Sequence, residues 1–175
     1  MSIRFFYPIL HKNMYTFKLI KNEDLFIHYY NIKCDNQAIL WSGFSKKPDF
    51  DRLKEVFNAI IKDDNQFLHY LIDENNDVVG YNHMQIIDNV TMQNRGHSVI
   101  SKYQGKGLGT IIIQHAMEEC KELGFKHFGG FISENNPASI KNVEKNGWYK
   151  TNRNELRELP ALNRIDKFWF YQVDI

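Results

Sequence analysis

The chain has little that would staple, stiffen or anchor it. Only two cysteines, Cys34 and Cys120, occur in 175 residues. They lie far apart and show no metal-ligand spacing, which excludes a disulfide framework and a zinc motif and predicts two reduced structural thiols. Proline is scarce, at four residues, and no Pro/Gly/Ser-rich linker, internal repeat or low-complexity stretch divides the chain. No run reaches the roughly 18 apolar residues of a membrane span. The apolar start MSIRFFYPIL is short and no small-residue cleavage site follows it. An excess of one charge is missing too, with 22 basic against 21 acidic residues and a net charge of +1. Nothing therefore demands nucleic acid or an anionic membrane. What is present is a chain 43% hydrophobic and 14% aromatic, enough for a substantial core. The expectation is one soluble, cytoplasmic domain over residues 1–175.

Local patterns predict the elements. Met14–Ile20 alternates and is rich in aromatic and β-branched residues, as a strand is. Asn22 or Asp24 can cap a helix through Tyr30. Asp49 or Asp51 can cap another, with Phe50, Leu53, Phe57, Ile60 and Ile61 on one face. Strands are expected at Phe67–Ile72 and Val78–Ile87, joined by the turn-rich DENND, and then at about Gly96–Ser101. A helix over Thr110–Leu123, with Ile111, Ile112, His115, Met117 and Leu123 available for burial, stops at Gly124. His127–Ile132 reads as a buried strand, and Asn136-Pro137 opens a helix that ends near Gly147. Trp148–Lys150 and Lys167–Val173 read as the last strands, which leaves Thr151–Asp166 as a long loop. The order is mixed α/β, hairpin-rich in front, with a strand–loop–helix–strand unit behind.

Between the fourth expected strand and the long helix stands Gln104-Gly105-Lys106-Gly107-Leu108-Gly109. Its glycines keep side-chain bulk away from the backbone, and the helix start offers free N–H groups to phosphate oxygens. A P-loop would end in Gly-Lys-Ser/Thr after a longer loop, and this chain lacks that ending. A dinucleotide fold wants G-x-G-x-x-G and an acid on the next strand. Here the spacing is G-x-G-x-G, and the next strand, HFGGFIS, carries no acid before Glu134.

Gln-x-x-Gly-x-Gly after a strand and before a long helix resembles the acetyl-CoA pyrophosphate loop of the GNAT superfamily of N-acetyltransferases. The run Val99-Ile100-Ser101-Lys102-Tyr103-Gln104 matches the family's approach to that loop, with serine in place of the common proline. Asn136-Pro137-Ala138-Ser139-Ile140 and Glu144-Lys145-Asn146-Gly147-Trp148 match its second motif, and Val79-Gly80 a further position. The resemblance covers about Phe67 to Trp148. It implies a single-domain α/β fold with a central mixed, mostly antiparallel sheet, splayed at the acetyl-CoA site and flanked by helices. It implies that the N–H groups of Gln104, Gly105, Lys106, Gly107, Leu108, Gly109 and Thr110 surround the cofactor pyrophosphate. Val99 and Ile100 would meet the pantetheine arm as if it were an added strand, and Asn136 and Ser139 would reach the cofactor from the other side. A backbone N–H near His97–Val99 would polarise the thioester carbonyl. The partners implied are acetyl-CoA and an amine-bearing acceptor, with no metal, nucleic acid or membrane. A homodimer is compatible with the resemblance.

Acetyl transfer needs a deprotonated amine, a stabilised carbonyl oxygen and a departing thiolate. Many relatives supply a proton to the thiolate from a tyrosine in the last helix, a position that is Val143 here. Tyr103, His83, His97 and Glu134 are the titratable groups near the expected cleft, and His97 and Glu134 are the catalytic candidates. The acceptor would be recognised by Trp41–Pro48 and by Thr151–Asp166, where Arg153, Arg157 and Arg164 could hold an acidic group. Trp41 and Phe44 are either stacking or core residues. Neither cysteine has a nucleophile setting, which favours direct attack in a ternary complex over a covalent acetyl-enzyme. The expected activity is transfer of an acetyl group from acetyl-CoA to a primary amine. The alternatives are a non-catalytic acyl-CoA-binding or regulatory module of the same fold and a nucleotide-binding domain.

Overall fold

The computed structural model describes residues 14–175, and the apolar start MSIRFFYPIL, read above as neither leader nor span, lies outside them. Along the chain run β1 (Tyr15–Leu19), α1 (Phe26–Lys33), α2 (Asn36–Trp41), α3 (Phe50–Lys62), β2 (Gln66–Asp73), β3 (Val78–Ile86) and β4 (Thr91–Val99). Then come α4 (Leu108–Glu122), β5 (His127–Ser133), α5 (Pro137–Lys145), β6 (Tyr149–Leu159) and β7 (Arg164–Asp174). The strands form one seven-stranded sheet in the order β1-β2-β3-β4-β5-β7-β6. Every adjacent pair is antiparallel except β4 and β5, so the expected mixed, mostly antiparallel α/β sheet is present.

Helices cover both faces. An added Cβ on Gly80 would lie 3.4 Å from Ile112 of α4, whereas the next residue, Tyr81, meets Tyr29 of α1 edge-on at 5.3 Å. Successive strand residues point to opposite faces, so α1 and α4 lie on opposite sides. One core joins Phe26, Tyr29, Leu53 and Phe57 to Leu68, Tyr70 and Tyr81. Another joins Ile113, Ala116, Cys120 and Val143 to Met84, Met92 and Phe128. Asp49 caps α3 by accepting from Arg52 N–H at 2.9 Å, and Leu53, Phe57, Ile60 and Ile61 are buried as expected. Phe50 is not; it is 41% exposed, packing edge-on against Tyr30 and Phe26.

Several expected boundaries move. β4 begins at Thr91 rather than Gly96, because Asp88 accepts from the N–H groups of both Val90 and Thr91 and turns the chain there. α1 runs on to Lys33, with Asn22 capping a short 3-10 turn ahead of it. α4 starts at Leu108 and buries Leu108, Ile112, Ile113, Ala116 and Cys120, while Leu123 stays 48% exposed. Thr151–Asp166 is not a loop. Most of it belongs to the β6–β7 hairpin, turned at Pro160–Leu162. β6 is an edge strand, mostly exposed, so it carries polar residues on both sides and lacks the alternation that reveals a half-buried strand.

Candidate functional site

The site begins where the sheet opens. β4 and β5 pair only over Thr91–Gln93 and His127–Gly129. Beyond that point β4 runs on to Val99 and β5 to Ser133 without meeting. β4 also carries a bulge: His83 faces Gly96 and Met84 faces Asn94, which leaves Arg95 as the extra residue. Asn94 closes the bulge by accepting from Gly96 N–H at 2.8 Å and by donating its amide to His97 Nδ1 at 3.3 Å. At the far end of the strand Ile100 N–H donates to Val79. Backbone groups alternate along a strand, so the N–H groups of Val99 and His97 turn the other way, toward the gap. The Val99 carbonyl does face away from β3, since it accepts from the Gln104 side chain at 2.9 Å.

The loop after β4 is held open at both ends. Asp35, the N-cap of α2, accepts from Ser101 N–H at 3.0 Å, Ser101 Oγ at 2.7 Å and Gln37 N–H at 3.0 Å. Its burial opposes ionisation, yet these Ser101 and Gln37 donors hold the carboxyl below the usual carboxylate range. Gly107 then enters α4 as its N-cap with φ +80° and offers no side-chain acceptor. Among the described residues, no acceptor meets the N–H groups of Gly105, Lys106 or Gly107. The N–H groups of Leu108 and Gly109, the first two of α4, are free as well. Two of the expected phosphate donors are already engaged, Thr110 N–H with the Gly107 carbonyl at 3.0 Å and Gln104 N–H with the Ser101 carbonyl at 3.2 Å. Bare amides at a helix start attract anionic oxygens.

A cavity of about 620 Å³ runs over this loop, and a second, of about 520 Å³, continues it between the splayed strands. Val99, Gln104, Gly105, Gly107, Leu108, Gly109, Thr110, Asn136 and Ser139 all line the first. Nine of the expected cofactor residues are thus brought together. Ile100 is not with them; it packs among the α1–α3 core residues. Lys106 places its ammonium over the Tyr103 ring at 5.0 Å, and its side chain lines neither cavity. Asn136 caps α5 by accepting from Ser139 N–H at 3.1 Å, and Thr110 Oγ1 donates to Asn142, joining α4 to α5.

The two catalytic candidates part company. His97 lines both cavities beside the bulge, and burial pushes its imidazole down to about 4. Glu134 lines neither cavity; it accepts from the Trp169 indole N–H at 3.2 Å and is exposed. Strand β5 ends in a turn that directs Glu134 outward and Ser133 inward, where Ser133 donates to the buried Asp166 at 2.5 Å. His83 is held by Gln66 at 2.8 Å, and burial, with Lys33 and Arg95 nearby, pushes it down to about 4. Tyr103 lines the first cavity but donates its hydroxyl to Asp73 at 3.1 Å. Val143 is buried and lines the second cavity, with no hydroxyl to give.

Sequence reasoning missed α2, and with it Asp35, which clamps the loop, and Gln37, which lines the first cavity beside the anticipated Trp41. The signal was the cap pattern of Asp35 ahead of a short apolar run. It also missed Lys33, Tyr81 and Arg95, which line the first cavity. Among the described residues, no group of three or more histidines, cysteines, aspartates or glutamates is placed to hold a metal ion.

The fold is shared with solved acetyltransferases. A phosphinothricin acetyltransferase from Sinorhizobium meliloti, solved with acetyl-CoA, superposes with a TM-score of 0.75 at 16% identity, covering 93% of this chain and 89% of that one. A spermidine N-acetyltransferase from Vibrio cholerae, solved with CoA and spermine, superposes with a TM-score of 0.76 at 19% identity, covering 93% and 96%. No curated protein sequence matches the chain. At these identities the superpositions speak for the fold alone. A sequence model of the acetyltransferase (GNAT) family, however, matches residues 23–148. That span takes in α1–α3, the splayed strands, the glycine loop and α5, and the chain belongs to the acetyltransferase (GNAT) family.

Proposed function

We propose that the chain transfers an acetyl group from acetyl-CoA to a primary amine by direct attack within a ternary complex. One observation carries this reading: the bare amides of Gly105–Gly109 and the unpaired edge of β4 line a continuous cleft that ends at the bulge. The residues fit the cofactor, since a pyrophosphate needs converging N–H groups and a pantetheine arm needs a free strand edge. When bound, acetyl-CoA supplies a thioester activated toward amines.

The chain's own residues do the rest. The N–H groups of Val99 and His97 face the gap and can receive the carbonyl oxygen as negative charge develops on it. The amine nitrogen forms its new bond to the carbonyl carbon while the C–S bond breaks and the electron pair stays on sulfur. The proton shed by nitrogen passes to water rather than to the His97 imidazole. That imidazole is neutral above about pH 4; it accepts a hydrogen bond but is too weak a base to hold the proton at neutrality. With Val143 in the cleft wall the thiolate departs without a protein acid, which a thiol of pKa about 8.5 permits. The buried Cys120 thiol, pushed up to about 12 by burial, is no nucleophile. Reduced, unpaired Cys34 and Cys120 support a cytoplasmic setting.

The test is thiol release from acetyl-CoA against a panel of polyamines, amino sugars, amino acids, aminoglycosides and short peptides. Release with one class establishes the transfer. Silence across the panel, with CoA still raising the melting temperature, would overturn it in favour of a non-catalytic acyl-CoA-binding module.

A further inference from the structure

The acceptor end of the cleft is charged in an uneven way. Its walls bring in Lys33, Arg95 and Arg157 on one side of the balance and Glu155 and Glu158 on the other. Arg157 is already occupied. Its Nε donates to Glu155, and its guanidinium lies over the Phe131 and Phe168 rings at 5.1 and 4.8 Å. Arg164, further out, pairs with Asp166. Lys33 and Arg95 are different. Among the described residues, neither has a carboxylate within ion-pair distance. Lys33 donates only to Tyr81 Oη at 2.6 Å, above the Tyr29 and Tyr81 rings. The exposed Arg95 side chain makes no hydrogen bond to the described residues, and it lines both cavities.

The backbone explains why Arg95 stands there. It is the unpaired residue of the β4 bulge, and a bulge re-aims one side chain away from the regular pleat. Arg95 lies four residues, about 13 Å of extended strand, before Val99 and the glycine loop. It therefore sits beside the reacting end of the cleft and not over the cofactor pyrophosphate. Lys33 reaches the same neighbourhood from α1, since Tyr81 Oη lies only 3.5 Å from where a Cβ of Gly96 would be. Both cations also act on His83, helping burial to keep it neutral. Lys33 is half-buried and Arg95 exposed at the cleft wall, and two cations without counter-ions there repel each other and any polycation. An oxyanion placed between them relieves that repulsion, and a guanidinium matches its two oxygens. Glu158, left over because Glu155 is taken by Arg157, suits an ammonium.

Resting on the transferase reading above, we infer that the acceptor is a small amine that also carries an oxyanion, a carboxylate or a phosphate-type group, held by Arg95 and Lys33. A polyamine is the wrong charge for this cleft.

The experiment compares matched amines in thiol release: alanine with alaninamide, O-phosphoethanolamine with ethanolamine, and spermidine alone. Calorimetric binding of the same five compounds to the CoA-loaded protein runs in parallel. The expected result is at least a tenfold preference in kcat/KM for the anionic member of one pair, and which pair responds separates carboxylate from phosphate. Arg95→Gln and Lys33→Gln should pull that preference toward one, mainly through KM, and Arg95→Lys should restore part of it. Melting temperatures confirm that the variants fold. Turnover that favours the neutral members or spermidine overturns the oxyanion site and leaves the transferase standing. Anionic amines that bind in an Arg95-dependent way but are never acetylated support the site and overturn the transferase. No binding and no turnover of any anionic amine overturns the site.

Discussion

Acidification from pH 7.5 to 4.5 should destabilise this protein chiefly through two histidines, with His115, also lowered by burial, adding to them. His83 and His97 are each held neutral by burial, with the imidazole at about 4 against 6.5 in the open chain. The unfolded chain therefore binds a proton at each between pH 6.5 and 4 that the folded protein refuses, and stability falls as pH drops through that window. At 1.36 kcal/mol per pH unit, the loss between pH 7.5 and 4.5 is between about 2 and 3 kcal/mol for each, about 5 together. That is a large share of the roughly 5–15 kcal/mol that holds a domain folded. The aspartates held low, Asp35, Asp166 and Asp174 among them, act in a different window. Their contribution is lost only as pH falls below the ordinary carboxylate value near 3.8. The assay is urea denaturation of the wild type, His83→Gln, His97→Asn and the double variant at both pH values. Each substitution should remove its own share of the wild type's acid loss, about 2–3 kcal/mol, whatever it does to stability at pH 7.5. A double variant that loses as much as the wild type would refute the assignment.

Three further outcomes are expected. Gly107→Gln places a side chain at φ +80° with open space around its Cβ, so the backbone strain is about 1–2 kcal/mol; the domain should stay folded while CoA no longer raises its melting temperature. Gly129→Ala would put a Cβ 2.6 Å from the Tyr171 carbonyl and 2.7 Å from the Phe170 ring; overpacking there should lower stability by about 1–3 kcal/mol, read as a lower urea midpoint with CoA binding retained by the folded fraction. Asp35→Ala removes the clamp on Ser101 and the cap of α2; it should lower stability by about 1 kcal/mol and weaken CoA binding severalfold in calorimetry, and unchanged binding would show that the loop needs no clamp.

How far the sequence revealed this molecule follows from what its residues had to do. α3 was legible because Asp49 caps it and one side of it is buried from Leu53 to Ile61. The glycine loop was legible because bare backbone is a chemical requirement that only glycine meets at φ near +80°. β4 was half-hidden for a related reason. A central strand is usually apolar, but this one carries Gln93, Asn94 and Arg95 where it leaves β5, since there it lines a cleft instead of a core. Asn94 must be polar to close the bulge, and Arg95, the extra residue of that bulge, lines the cavity. The residues that made the strand hard to read are the ones that make the site. β6 was hidden by exposure rather than by function, being an edge strand with little to bury. Glu134 misled because the rule that chemistry gathers at the carboxyl ends of strands names a region and not a direction. One residue separates Ser133, turned into the cleft wall, from Glu134, turned out to Trp169, and that alternation is decided by the pairing of β5 with β7, which no local pattern in the strand records.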